Sequence, residues 1–582
     1  SVTLFSTVMS FLPGDFAHPY QIDPRFETSA AYFSMECAID QGLKIYSGGL
    51  GFLAGSHMRS AYELKQNMVG IGMLWTYGYY HQIRGEDREM AVQRRKNLYH
   101  FLEDPGIEFE VVVHGHPVWV KAYYLPAETF GTAPMFLLST DIDRNDPMSR
   151  SISLRLYDSD ALTRIAQYII LGAGGAKLLH EIGAEPQVYH FNEAHALSAA
   201  FWLRGQRGLS EEEVRKRLVF TTHTPEAAGN ETHELELLHR FSFFSGLSLD
   251  EIYKFTGIKG ETFTHTLGAL RTCRLANGVS KLHGEVSRKM WGEHPDICPI
   301  THITNAQNKK FWVDADLEAA RVKADSHQLQ HRKRTLKERL FRVVADQTGR
   351  LFDPGVLTIV WARRFAAYKR ADLITRDLER FKALLSNSEQ PVQVIWAGKP
   401  YPKDQGAIDL FNHLVHLTQD HANAAVLVGY ELALSKLLKD GADVWLNTPI
   451  VPREASGTSG MAAAMNGAVN LSTYDGWICE FARDGENSFV IPGPEAHASP
   501  QERDRHDLLA TYHILEDKIL PMYYERSQEW WKLVLNSMDD VVPFFDSDRM
   551  ATEYYENLYD APYFEDKGSE WPAKAGKAAG RA

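Results

Sequence analysis

In the second half of the chain, short apolar runs at 356–362, 392–397, 424–429 and 443–446 are each followed by a segment of helical periodicity. Apolar runs this short fit strands covered on both faces, so the alternation predicts a parallel sheet with crossover helices. Residues 373–385 and 432–438 carry apolar side chains at every third or fourth position, the pattern of amphipathic helices. The first half is less regular. It offers strands at 109–113, 118–124, 134–139 and 219–222 and a helix over 160–179. A charged helical stretch over 316–342 follows, and the division between the halves is expected just before it, near Asn305. The chain therefore reads as α/β, with an N-terminal domain over 1–305, a second over 306–546, and a C-terminal segment over 547–582 that ends in a loose tail, WPAKAGKAAGRA.

With 582 residues, 44% of them hydrophobic and 24% charged, the chain is long enough for more than one core. That composition excludes disordered, collagen-like and coiled-coil chains. Asp and Glu (75) outnumber Lys and Arg (62), and the basic runs HRKRTLKER and RRFAAYKR are short, so no nucleic-acid partner is expected. Cys37, Cys273, Cys298 and Cys479 form no CxxC pair, which speaks against a disulfide framework and a cysteine zinc site and suits a cytoplasmic setting. The apolar runs fall far short of the roughly 20 residues that cross a bilayer, and residues 1–20 lack the basic start of a signal peptide; no membrane partner is expected.

Open parallel sheets bind ligands beyond the carboxyl ends of their strands, which directs attention to the residues just after the apolar runs. RRFAAYKR brings Arg363, Arg364, Lys369 and Arg370 to such an edge, an arrangement suited to an anion. In PREASGTSGM a carboxylate, Glu454, precedes Ser456, Gly457, Thr458 and Ser459 at the start of an Ala-rich helix. These groups could bind sugar hydroxyls beside an anion-attracting helix end, or Ser456 or Thr458 could simply cap the helix. In SGGLGFLAG, Gly49, Gly51 and Ala54 match GxGxxA at a helix start, which serves equally as a phosphate loop or a tight turn. Gly172, Gly174 and Gly175 read as close helix packing. HFNEAHA and THTP bring histidines, of which His223 follows a strand. HExxH, GxSxG and GxxxxGK[ST] are all missing, which leaves metalloprotease, serine hydrolase and P-loop readings without support. No metal ligand set is predicted.

Taken in order, IYSGGLGFLAG, HFNEAHA, THTPEAAGN, NGVSKLHGEVSRKMW, ITNAQN, RRFAAYKR, DVWLN and EASGTSGM resemble the motifs of the α-glucan phosphorylases, especially their short bacterial branch, across roughly residues 30–480. The resemblance implies a glycosyltransferase-B fold, two Rossmann-like domains facing across a cleft. It implies reversible phosphorolysis of an α-1,4-glucan or maltodextrin by inorganic phosphate to glucose 1-phosphate, with retained configuration, and it allows a homodimer. By motif, Arg364 and Lys369 would grip the phosphate. Glu454, Ser456, Gly457 and Asn305 would contact glucose, and the backbone carbonyl of His223 would face the anomeric carbon. Gly48 and Gly49 would offer N–H groups, and Arg363, Tyr430, Thr458 and Ser459 would line the pocket of pyridoxal phosphate.

The family holds pyridoxal phosphate on a lysine eight residues beyond the glutamate of EASGT, and here that position is Ala462. A methyl group forms no Schiff base, so no covalent pyridoxal phosphate is expected, and the cofactor is bound without a tether or replaced by another phosphate. Ser56 and Glu431 also depart from the family pattern, which suggests drift of the whole pocket. Two other readings stand beside the phosphorylase: a glucosyltransferase independent of pyridoxal phosphate, and a non-catalytic glucan-binding or regulatory protein.

Overall fold

A computed structural model describes residues 16–562. The expected loose tail and residues 1–15 lie outside them. Besides two small two-stranded ribbons, the first half contains β1 (Ala30–Phe33), β2 (Met68–Met73), β3 (Glu103–Val113), β4 (His116–Leu125), β5 (Met135–Ser139), β6 (Val188–Asn192), β7 (Leu218–Thr221), β8 (Leu275–Gly278) and β9 (Ile300–His302). They build one sheet in the order β9-β8-β7-β6-β1-β2-β5-β4-β3. It is parallel from β9 to β5, while β4 and β3 run antiparallel at one edge.

The second sheet contains β10 (Leu357–Ala362), β11 (Val392–Ala397), β12 (Ala424–Leu427), β13 (Val444–Asn447), β14 (Val469–Thr473) and β15 (Phe489–Ile491). Every pairing is parallel, in the order β12-β11-β10-β13-β14-β15. Numbered from its own first strand this is the 3-2-1-4-5-6 order of a doubly wound dinucleotide fold. Every residue of β10 and β11 is buried, as strands with helices on both faces require. The α/β reading with large parallel sheets therefore holds.

Several predicted helices are divided. The stretch over 373–385 breaks into a 3₁₀ turn, Leu373–Thr375, and a helix, Leu378–Leu385, because the Asp377 carboxylate accepts from the Arg380 N–H and starts a new helix there. The charged stretch becomes α2 (Ala315–Val322) and α3 (Ser326–Thr348), separated where Ala324 turns left-handed and Asp325 caps Gln328. Over 160–179 Asp160 caps the start, and the helix passes through a wide turn at Ile170–Gly174. A Cβ on Gly172 would lie 2.2 Å from Ser198 Oγ, so close packing accounts for that glycine.

Three further helices position the site: α1 (Gly49–Glu63), α4 (Leu432–Gly441) and α5 (Thr458–Met465). Downstream, α6 (Leu520–Glu525) and α7 (Ser527–Phe545) cover the second sheet. The chain then returns to the first half through α8 (Ser547–Tyr554). There Tyr559 OH meets His190 Nδ1 at 2.6 Å and Tyr554 OH accepts from Asn277 Nδ2 at 3.0 Å. Cys37, Cys273 and Cys298 are buried and Cys479 is partly buried.

Candidate functional site

The order of the parallel strands reverses once in each sheet, at β1/β6 in the first and β10/β13 in the second, and such a reversal opens a crevice at the carboxyl ends of the strands. The two crevices share one cavity of about 670 Å³. The candidate site residues named from the family motifs all line it, whereas Arg370 does not. Arg363, Arg364 and Lys369 follow β10, and Tyr430 follows β12. Glu454, Ser456, Gly457, Thr458 and Ser459 lie between β13 and the first turn of α5. Gly48 and Gly49 begin α1, His223 follows β7, and Asn305 follows β9.

On the second-sheet side, Arg363 Nη2 lies 2.7 Å and Lys369 Nζ 3.6 Å from Glu454 Oε2. Burial opposes ionisation of Glu454 but is outweighed by Arg363, Lys369 and Arg364, which hold the carboxyl below its usual range. Burial and the neighbouring Arg363 pull Lys369 down to about 7. Arg364 is exposed to the cleft and forms no ion pair among the described residues. The fourth cation of the motif, Arg370, turns away: it is buried against Asp504 and Asp507 and holds the Thr448 carbonyl. Its role is structural. Neither Ser456 nor Thr458 caps α5; Gly457, at φ 89°, is the cap residue, so the first N–H groups of the helix have no side-chain acceptor. Ser456 Oγ, Asn305 Oδ1 and Arg363 Nε are buried without a hydrogen-bond partner. Polar atoms in that state at a cavity wall suit a hydroxyl-rich or anionic ligand.

Two carboxylates given no role in the sequence reading, Glu36 and the Glu193 of HFNEAHA, complete the first-sheet side. Glu36, just past β1, accepts from the N–H groups of Gly51 (2.5 Å) and Gly48 (3.3 Å) and from Ser47 Oγ, and so fixes the glycine loop. Glu193, just past β6 at φ 71°, accepts from His223 N–H at 2.9 Å and Thr224 Oγ1 at 3.1 Å. Burial raises Glu193 to about 7. It also lowers His223 to about 3, leaving a neutral imidazole bonded through Nε2 to Asn192 Oδ1 at 2.6 Å. The loop that carries the His223 carbonyl is thus anchored at both its side chain and its N–H. His190 is a core histidine, held by Tyr559 and Thr221. Lys399, two residues beyond β11, also lines the cavity and meets Glu431 at 3.2 Å.

Ala462 lies behind the cavity wall, fully buried among Ala38, Tyr46, Phe52, Trp312 and Leu432. Position 462 therefore offers a methyl group and no amine. Lys439 on α4 brings its ammonium to the same two rings, 3.9 Å from the centroid of Trp312 and 5.2 Å from that of Phe52. It donates to Ser435 Oγ at 2.8 Å, and burial lowers it to about 7. Ser56 binds Gln307 and Asn308 away from the cavity, while Glu431 joins Lys44 (2.5 Å) and Lys399 in an ion cluster across the two halves.

Residues 301–519 match the family model described as carbohydrate phosphorylase. The chain is 34% identical to the maltodextrin phosphorylase of Thermococcus litoralis over 92% of its own length and 71% of that protein. It is 30% identical to the glycogen phosphorylase of Aquifex aeolicus over 92% and 86%. With an uncharacterized protein of Methanocaldococcus jannaschii it shares 45% identity over 91% of its own length and 99% of the other.

Proposed function

Because the chain belongs to the carbohydrate phosphorylase family, we propose that it moves the terminal glucosyl unit of an α-1,4-glucan to inorganic phosphate, with retention, and without a lysine-tethered cofactor. The observation that carries this reading is the convergence of Arg364, Lys369 and the uncapped start of α5 on one cavity. Glucan binding alone needs no such anion site. Phosphate would sit against these three groups, where fixed positive charge stabilises a dianion. The glucosyl unit would lie between Glu454, Ser456, Gly457 and Asn305, with its anomeric carbon near the His223 carbonyl. As the bond from C1 to the glycosidic oxygen breaks, that oxygen takes a proton from the substrate phosphate. A phosphate oxygen then bonds to C1 on the same face, giving glucose 1-phosphate and a shortened glucan. The carbonyl dipole and the Glu193-anchored loop favour the positive charge that builds at C1.

Lys439 against Trp312 and Phe52 supports transfer without the tether, since the amine and the apolar cluster occupy the space around Ala462. Pyridoxal phosphate or another phosphate bound without a covalent link remains compatible with Arg363, Tyr430, Thr458 and Ser459 on the open wall. The substrate class and the absence of a helix able to span a membrane among the described residues fit a cytoplasmic enzyme of glucan metabolism. Arg364→Ala tests the assignment. It removes an unpaired cation rather than a core group, so phosphate-dependent release of glucose 1-phosphate from maltodextrin should fall by about a hundredfold or more while thermal unfolding is unchanged. Unaltered turnover would refute the anion site.

A further inference from the structure

A second cavity, of about 510 Å³, lies between α3 and the α6–α7 turn. It includes Gly355, just before β10, and Asp443, just before β13, and so opens at the amino ends of the second sheet, opposite the cleft. One face of α3 contributes Lys333, Arg334 and Lys337 to its lining. Asp443 is the one carboxylate in that lining, and it is taken up by Lys337 at 2.5 Å. Lys333 is 2% exposed, donates to the Asn466 carbonyl at 2.7 Å, and forms no ion pair among the described residues. Burial lowers it to about 8. Asp443 and Asp440 offset that burial in part without a direct ion pair; an ammonium so placed is costly, and at a cavity wall an anion relieves the cost. Arg334 stands half-exposed at the rim, 3.5 Å from the similarly exposed Glu338 one turn on.

Tyr523, Tyr524 and Trp531 form the facing wall. Tyr523 OH donates to the Gly355 carbonyl, while Tyr524 OH accepts from Leu357 N–H and donates to the Pro391 carbonyl, so both rings are held by backbone on two sides of the sheet edge. A fixed aromatic wall facing a buried lysine that no carboxylate pairs directly suits a ring that carries a phosphate, and the volume is that of a small-metabolite site. We propose that this cavity binds a phosphomonoester bearing a sugar or nucleoside ring, with its phosphate at Lys333 and Arg334 and its ring on the aromatic wall. Nothing in the glucosyl-transfer reading depends on it.

Calorimetry on the full chain with inorganic phosphate, ribose 5-phosphate and uridine 5′-monophosphate tests the proposal. At least one of the two ring-bearing probes should bind about tenfold or more tighter than inorganic phosphate, and Arg364→Ala should leave that binding in place. Arg334→Glu, on the exposed rim, and Lys333→Met should each weaken it about tenfold or more. A preference for the nucleotide would identify a nucleoside ligand, and equal affinity for the two a sugar phosphate. The proposal is overturned if all three probes bind alike, if Arg364→Ala abolishes binding, or if Arg334→Glu leaves every affinity within about twofold.

Discussion

Lys369 is the residue whose state most directly controls the proposed anion site. Burial and Arg363 lower its pKa to about 7, against an ordinary lysine value of about 10.4. The ammonium is therefore present below pH 7 in the folded protein and lost above it. Anion affinity carried by Lys369 should be full on the acid side and fall by about tenfold per pH unit above about 7, because each bound anion then requires uptake of one proton. Sulfate, a dianion throughout this range, is the suitable probe for titration calorimetry. Lys369→Arg should flatten the profile, since a guanidinium stays charged. A wild-type affinity constant from pH 6 to 9 would contradict the assignment.

At the scale of elements, the turn before α5 depends on Gly457. Its φ of 89° is left-handed, and an added Cβ would stand 3.3 Å from Trp477 Cδ1. Gly457→Ala should cost about 1–2 kcal/mol of stability and displace Ser456 and Thr458, which denaturant unfolding together with maltodextrin binding would detect. An unchanged midpoint and affinity would show that the turn tolerates a side chain. The same element shows how much of the site is legible in the sequence. β10 to β13 are predominantly apolar runs with chemistry-bearing residues after them, so Arg363, Arg364, Lys369 and Glu454 stand out from the amino-acid order alone. β1, AAYF, is only four residues long, and β6, VYHFN, carries His190 and Asn192, so no periodicity separates either strand from a loop. Without those strands the switch point of the first sheet is hidden, and Glu36 and Glu193 with it. Lys399 follows β11, itself a clear apolar run, and the same rule extended by two residues finds it. Arg370 shows the reverse limit, since only tertiary placement separates a buried structural cation from its cavity-lining neighbours.

At the scale of the whole molecule, the two sheets are held together by more than the cleft. Lys44 and Lys399 meet on Glu431, and α8 with the turn to Tyr559 packs back onto the first half. Met550, Tyr554, Tyr555, Leu558 and Tyr559 are all buried there. At about 1.5–3 kcal/mol for each such side chain they contribute about 10 kcal/mol, comparable with the net stability of a domain. A chain ending at Asp546 should therefore lose cooperative thermal unfolding of its first half, and native-like melting of that chain would contradict this role. The central claim is glucosyl transfer to phosphate in a site whose cofactor lysine is Ala462. Its most direct test is the formation of glucose 1-phosphate from maltodextrin and inorganic phosphate by protein purified without added pyridoxal phosphate, with the same sample reduced by borohydride and its lysines mapped by mass. The account predicts glucose 1-phosphate and no pyridoxyl-lysine, at Lys439 or elsewhere; no glucose 1-phosphate, or an adduct on any lysine, would contradict it.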